Sequence, residues 1–166
     1  MIYCDHGRVE GWDCPHCSGV NYYPLVCKHG INLSTSSACR RCQLDIAERA
    51  EADRRARWPT VCAKVICGWW HPPGWTALVS KLADLLERIG GVHCDQCKEK
   101  FGGLRFYVNL VDCPDPPLVW TLIKAAEEAS YSMCQDCGGP GVLRKNGTYW
   151  VATLCDKCGE GWKVCK

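Results

Sequence analysis

Cysteine pairing limits this chain more than any other feature. Sixteen of its 166 residues are cysteine, a density found in secreted disulfide scaffolds and in zinc proteins. The opening stretch, MIYCDHGRVEGWDC, has no basic start, no apolar h-region and no small-residue cleavage site, so no secretory signal is read there. No apolar run reaches the length of a membrane span. The expectation is a protein of a reducing cytoplasm, with its cysteines held as thiols or as metal thiolates.

Spacing favours metal. Cys134, Cys137, Cys155 and Cys158 run as C-x2-C-x17-C-x2-C. Each C-x2-C makes a tight knuckle offering two sulfurs to one tetrahedral zinc, and the chain between must return to the same point. Asn146-Gly147, between two strand-like flanks, is the favoured two-residue turn of a type I′ hairpin. The arrangement reads as a zinc ribbon. Nearer the N-terminus, Cys4, His6, Cys14 and Cys17 run as C-x-H-x7-C-x2-C, and Cys27, His29, Cys39 and Cys42 as C-x-H-x9-C-x2-C, each with glycine after its histidine. This repeat predicts two Cys3His zincs. Two ligations fit: sequential modules, or a cross-brace with Cys4, His6, Cys27 and His29 on one ion and both C-x2-C pairs on the other. His16, inside a knuckle, is read as a surface side chain.

Three zinc ions are therefore expected, with Cys62, Cys67, Cys94 and Cys97 as a candidate fourth site. Against the fourth stands the geometry of a regular strand, where Cys94 and Cys97, three apart, point to opposite faces unless a local knuckle intervenes. Cys113 and Cys165 are read as a buried small side chain and a tail thiol.

Composition divides the chain into four segments. Residues 1–43 hold the tandem Cys3His modules and little core of their own. Residues 44–58, LDIAERAEADRRARW, read as a helical connector with acids early and arginines late, as the helix dipole prefers. Residues 59–133 form an α+β core. Its first helix, over TALVSKLADLLERIGG, aligns Leu78, Leu82, Leu85, Leu86 and Ile89 and stops at Gly90-Gly91. A hairpin follows, turning at Gly102-Gly103 with Leu104, Phe106 and Val108 inward. The second helix is capped by Asp115, begun by Pro116 and Pro117, and striped by Val119, Leu122, Ile123 and Ala126. Residues 134–166 are the ribbon. The fold class expected is a small, zinc-stabilised α+β protein: tandem modules, a core of two helices and a β-hairpin, and a C-terminal zinc ribbon.

The stretch KEKFGGLRFYV, residues 98–108, resembles a phrase found in a family of small zinc-binding proteins encoded by tailed bacteriophages and prophages. The resemblance runs from CGWWHPPGW (67–75) through the helix and hairpin to AEEASYSMCQDCGGPGVLR (126–144) and ATLCDKC (152–158), somewhat over half the chain. It implies a viral source, and so the cytoplasm of a bacterial host. It also supports Cys134, Cys137, Cys155 and Cys158 as one zinc site, the fourth ligand often being His in the family pattern. The chain departs from that pattern at Cys94 and Cys97, since the position before KEKFG is usually apolar. No particular activity carries over.

Catalysis is not expected. A catalytic zinc keeps an open position, whereas four protein ligands close a site. The chain has no HExxH, phosphate loop or G-x-S-x-G elbow. Its CPHC lacks the H-x-E partner of a deaminase, and His71, Asp95 and Glu99 are not spaced as a catalytic set. A binding role remains. Its first form is a phage accessory protein that docks on a host macromolecular machine, of transcription or defence. Zinc-stiffened loops and the aromatic candidates Trp12, Tyr22, Tyr23, Trp69, Trp70 and Trp75 would make the contact. The second is nucleic-acid binding through Arg40, Arg41, Arg54 and Arg55, with Lys145, Tyr149 and Trp150 on the ribbon. Charge tips the balance toward protein: the formal net charge is +2, and the thiolates of three zinc sites bring it to about −2. A third form, thiol redox, predicts that a chelator leaves the fold intact.

Overall fold

Helix α1 spans Arg40–Arg57, starting ahead of the expected connector and carrying Cys42 on its first turn. That turn holds arginine and no acid, while Arg54, Arg55 and Arg57 fill the last turn, so only the C-terminal end of the dipole is complemented. The helix closes at Trp58 because Pro59 follows, and a residue before proline is pushed out of the helical region. The computed structural model describes residues 40–63, 68–147 and 149–165. The chain divides into two units, Met1–Asp53 and Arg54–Lys166. Both sheets and the two later helices belong to the second. The described residues form a mixed α+β fold of three helices and two small sheets.

A short 3-10 turn, Pro73–Trp75, leads into helix α2, Thr76–Ile89. It buries Val79, Leu82, Ala83 and Leu86, so the apolar stripe is rotated toward Val79 and Ala83, with Leu78 and Ile89 on its margin. Gly90, at φ 81°, ends the helix as the sequence suggests. Two acids of α2 hold the preceding segment. The Glu87 carboxylate accepts from the N–H groups of Thr60 and Val61 at 2.9–3.1 Å. The Asp84 carboxylate accepts from Trp58 Nε1 at 2.7 Å and from both Nε and Nη2 of Arg57.

Strands β1 (Val92–Lys100) and β2 (Gly103–Leu110) pair antiparallel. Lys100 lies opposite Gly103, so the turn is Phe101-Gly102 rather than Gly102-Gly103. Both turn residues have positive φ, 54° and 79°, as a type I′ turn requires. Gly103 serves another purpose: a Cβ there would stand 2.3 Å from the Tyr131 ring. In β2, Leu104 and Phe106 point inward, as expected. In β1 the register shifts between Cys94 and Gln96, which leaves Asp95 unpaired as a β-bulge. This one extra residue resets the alternation, and Val92, Cys94 and Cys97 are all 0 % exposed. The opposite-face objection drawn from a regular strand is thereby corrected.

Both outer edges of this hairpin are satisfied. Along β1, the N–H groups of Cys94 and Cys97 donate to the carbonyls of Val61 and Gly68, and the Trp70 N–H donates to the Cys97 carbonyl. Along β2, the Leu104 N–H donates to Ser130 Oγ at 2.8 Å and the Phe106 N–H to the Glu127 carboxylate at 3.1 Å. Both acceptors belong to helix α3, Pro116–Ser130. It is capped as expected, with Asp115 accepting from the Leu118 N–H at 3.1 Å, and it buries Val119, Ile123 and Ala126.

The second sheet has strand order β4-β3-β5, with β3 Val142–Asn146, β4 Trp150–Leu154 and β5 Lys163–Val164. Asn146 pairs with Trp150, so the connection is a three-residue loop, 147–149, in place of the expected two-residue Asn146-Gly147 turn. This sheet docks on the core. The Gly74 N–H donates to the Gln135 carbonyl at 2.7 Å, and Trp75 Nε1 donates to the Met133 carbonyl at 3.0 Å. Residues expected as core and ribbon thus share one unit. No helix among the described residues is long and apolar enough to cross a membrane.

Candidate metal centre

Two turns of identical pattern, C-x2-C-G, build the centre. In the first, the Gly138 N–H donates to the Cys134 carbonyl; in the second, the Gly159 N–H donates to the Cys155 carbonyl, each at 2.9 Å. The β3–β4 hairpin brings the turns together. The Gln135 N–H donates to the Thr153 carbonyl at 2.8 Å, seating the first turn on the end of β4, and Cys155 opens the second turn directly after that strand. The sulfurs of Cys134, Cys137, Cys155 and Cys158 all lie within 4.8 Å of one another. Those of Cys137 and Cys155 are 3.8 Å apart. Zinc bound by four sulfurs at about 2.3 Å in a tetrahedron sets them about 3.8 Å apart, so this donor set fits a metal ion. Among the described residues it is the one group of three or more Cys, His, Asp or Glu side chains gathered this closely.

Electrostatics also call for a cation. Burial opposes ionisation of Cys134, but hydrogen bonds from the backbone of Cys137, Cys155 and Asp136 outweigh it and bring the thiol down to about 7. The others move the opposite way. The Cys155 sulfur, then loss of solvent, pushes Cys158 up to about 12. At Cys137 a backbone hydrogen bond from Gly139 favours ionisation, yet the sulfurs of Cys134 and Cys155 raise the thiol overall. One sulfur ionises readily and its neighbours then resist, a conflict that a divalent ion removes. A counter-charge is built in beneath. Arg144 is buried, with Nε donating to the Leu154 carbonyl at 3.2 Å and Nη2 paired with the Asp156 carboxylate. Its side chain runs under Gly159, where an added Cβ would lie 2.5 Å from it. A zinc held by four thiolates carries a net charge of about −2, and a guanidinium at this place opposes it.

Close approach to the first turn depends on two further glycines. A Cβ on Gly74 would stand 2.2 Å from the Cys134 carbonyl oxygen, and one on Gly141 would stand 2.9 Å from the Cys134 nitrogen. Sequence reasoning missed Gly74, Gly138, Gly141, Gly159 and Arg144. The glycine after each C-x2-C was a readable sign. Gly74 and Arg144 gave none, because their roles arise from packing between segments distant in sequence.

Of the other expected site residues, Cys4, His6, Cys14, Cys17, Cys27, His29, Cys39 and Cys67 lie outside the described residues, as do Trp12, Tyr22 and Tyr23. Cys42 is half-buried on the first turn of α1, while Cys62, Cys94 and Cys97 are buried in the core. Cys113 packs against that core, and the Cys165 N–H donates to the Leu143 carbonyl. Arg40 is exposed on the first turn of α1, beside Arg41, and Arg55 is exposed on the last. Arg54 is half-buried, its guanidinium 5.9 Å from the centre of the Trp69 ring. Two aromatic candidates are corrected. Trp75 is fully buried, and Trp69 stacks on Trp58 and meets Phe106 edge-on, both at 5.6 Å, so neither is an exposed anchor. Trp70 is exposed, as are Tyr149 and Trp150. No protein-family model matches the chain, and no curated protein or solved structure matches it.

Proposed function

We propose that the protein is a non-catalytic, zinc-structured accessory protein of a bacteriophage that acts in the cytoplasm of its bacterial host. It docks there on a protein machine of transcription or defence. The observation that carries this reading is the closed cysteine tetrad. Four sulfurs complete a tetrahedral sphere and leave no position for a substrate or an activated water, so the ion holds the fold together. Zinc is the ion that four thiolates in this geometry favour. In this reading the Cys3His sets of residues 4–42 hold two further zincs, which replace a core that so short a segment cannot build.

The contact surface is the ribbon loop. Tyr149 is 93 % exposed and Trp150 69 %, and a zinc-stiffened hairpin holds both outward. Aromatic side chains presented on rigid supports are the residues that dominate interface energies. The test is affinity capture from host lysate with the wild-type chain and with the Tyr149→Ala/Trp150→Ala variant. One host protein retained by the wild type and lost by the variant, with zinc content and circular dichroism unchanged, is the expected result. Equal capture by both removes the ribbon loop from the interface.

A second reading, nucleic-acid binding, draws on one observation. Lys145 and Lys163 are exposed and sit directly opposite each other on β3 and β5, on the same small sheet as the two aromatics. Like charges so placed repel, and an aromatic platform with adjacent cations is how single strands are gripped. Of the expected arginine contacts, Arg54 is occupied by Trp69. A gel shift at low salt that weakens as salt rises, and that disappears in Lys145→Ala/Lys163→Ala, would replace the protein-docking reading. No shift with any DNA or RNA would leave it in place.

A further inference from the structure

A second group of cysteines lies outside the tetrad. Cys62, Cys94 and Cys97 are each no more than 1 % exposed and belong to one packed core with Trp58, Trp75, Leu104 and Phe106. Two features bring them together. The bulge at Asp95 turns Cys97 to the face that Cys94 already occupies. The Cys94 N–H then donates at 2.8 Å to the carbonyl of Val61, the residue directly before Cys62.

A single buried cysteine behaves as a small apolar side chain, and such a side chain needs no bulge to place it. Here three converge. They sit within electrostatic reach of one another: beyond the effect of burial, Cys97 and Cys62 oppose ionisation of Cys94, and Cys62 opposes that of Cys97. Arg54, half-buried over the Trp69 ring, acts in the opposite sense on Cys97. The tetrad has the same combination, converging thiols beside an arginine that loses solvent. The three sulfurs are gathered less tightly than the tetrad, and they come from a bulged strand and a preceding turn instead of paired knuckles.

We propose that Cys62, Cys94 and Cys97 form a second thiolate site, which holds a zinc ion inside the core. Binding exchanges three S–H protons for one Zn2+; the protons leave to solvent, and the site is left with a net charge of about −1 toward Arg54. Cys67, which the spacing groups with these three, lies outside the described residues and is not part of the assignment. The ion would fix the turn at residues 61–62 to β1.

Native mass spectrometry of the full chain, purified in the presence of zinc, tests the site. Cys62→Ser and Cys94→Ser should each carry one zinc fewer than the wild type. Their double variant should lose no more than either single one, while Cys62→Ser combined with Cys134→Ser should lose two. A wild-type zinc count in both single variants overturns the proposal, and so does a disulfide among the three cysteines in the wild-type protein. If the serine variants do not fold, wild-type crystals decide through anomalous scattering at the zinc edge. A peak among the three sulfurs, at about 2.3 Å from each, supports the site; a peak at the tetrad with none here overturns it.

Discussion

The Thr153 hydroxyl donates to the Gly102 carbonyl at 2.7 Å, joining the metal-bearing sheet to the turn of the core hairpin across 51 positions of sequence. Both residues are buried. Thr153→Val keeps the shape of the side chain and removes the donor, so the carbonyl is left without its partner. The expected cost is about 1–3 kcal/mol. It should appear as a lower urea midpoint with an unchanged slope and an unchanged zinc content. A midpoint equal to that of the wild type would mean that the contact adds nothing to the docking of the two sheets.

Gly74 makes a steric prediction. A methyl group there would meet the carbonyl oxygens of Cys134 and Gln135 at 2.2 and 2.6 Å and the Gly138 nitrogen at 2.6 Å. All three are backbone atoms of the first metal-binding turn, and none can swing aside as a side chain would. Gly74→Ala should therefore cost about 1–3 kcal/mol, the usual range for overpacking. It should also loosen the metal, seen as faster zinc transfer to a competing chelator. Wild-type stability together with wild-type transfer would show that the turn can yield at this point.

The features legible in the sequence are those decided within a few residues of themselves. The stop of α2 at Gly90, the Asp115 cap, the inward Leu104 and Phe106 and the paired C-x2-C turns all belong to this class, since capping, pleat and knuckle are local geometries. The features missed depend on a register or a distant partner. Asp95 is an ordinary strand residue by type, yet its unpaired position decides where Cys97 points. The hairpin turns one residue early because Gly103 lies against Tyr131, and Phe101 accepts the positive φ instead. Trp75 and Trp69 looked available as surface aromatics. Their burial is set by the Met133 carbonyl, 58 positions away, in one case and by Trp58 and Phe106 in the other.

Removing metal should unfold more than the ribbon. The first metal-binding turn shares hydrogen bonds with Gly74 and with β4, and β4 in turn holds the core hairpin through Thr153. A chelator should therefore lower the melting temperature in a single transition that reports on Trp58 and Trp75 as well as on the ribbon. Re-adding zinc should restore it. Cys134→Ser should behave like the chelated protein. A thiol redox protein would show the reverse, and an unchanged melt after verified loss of metal would sink the structural role assigned to the tetrad.

His71 makes a prediction in pH. It is half-buried, with Nδ1–H donating to the Pro72 carbonyl at 3.0 Å. Burial holds its pKa below the ordinary 6.5; the bond to Pro72 works against this shift, and the charge of Arg54 adds to it. The folded chain thus takes up this proton less readily than the unfolded one. Between the depressed value and 6.5 the unfolded chain binds more protons, so the contribution to stability is complete above 6.5 and is lost as pH falls through the folded pKa. Urea midpoints measured from about pH 8 to about pH 5 should fall less steeply for His71→Gln than for the wild type, the difference isolating this group from the thiolates. An NMR titration of the wild-type ring should place its midpoint below 6.5, and a midpoint at or above that value would show that burial does not govern this histidine.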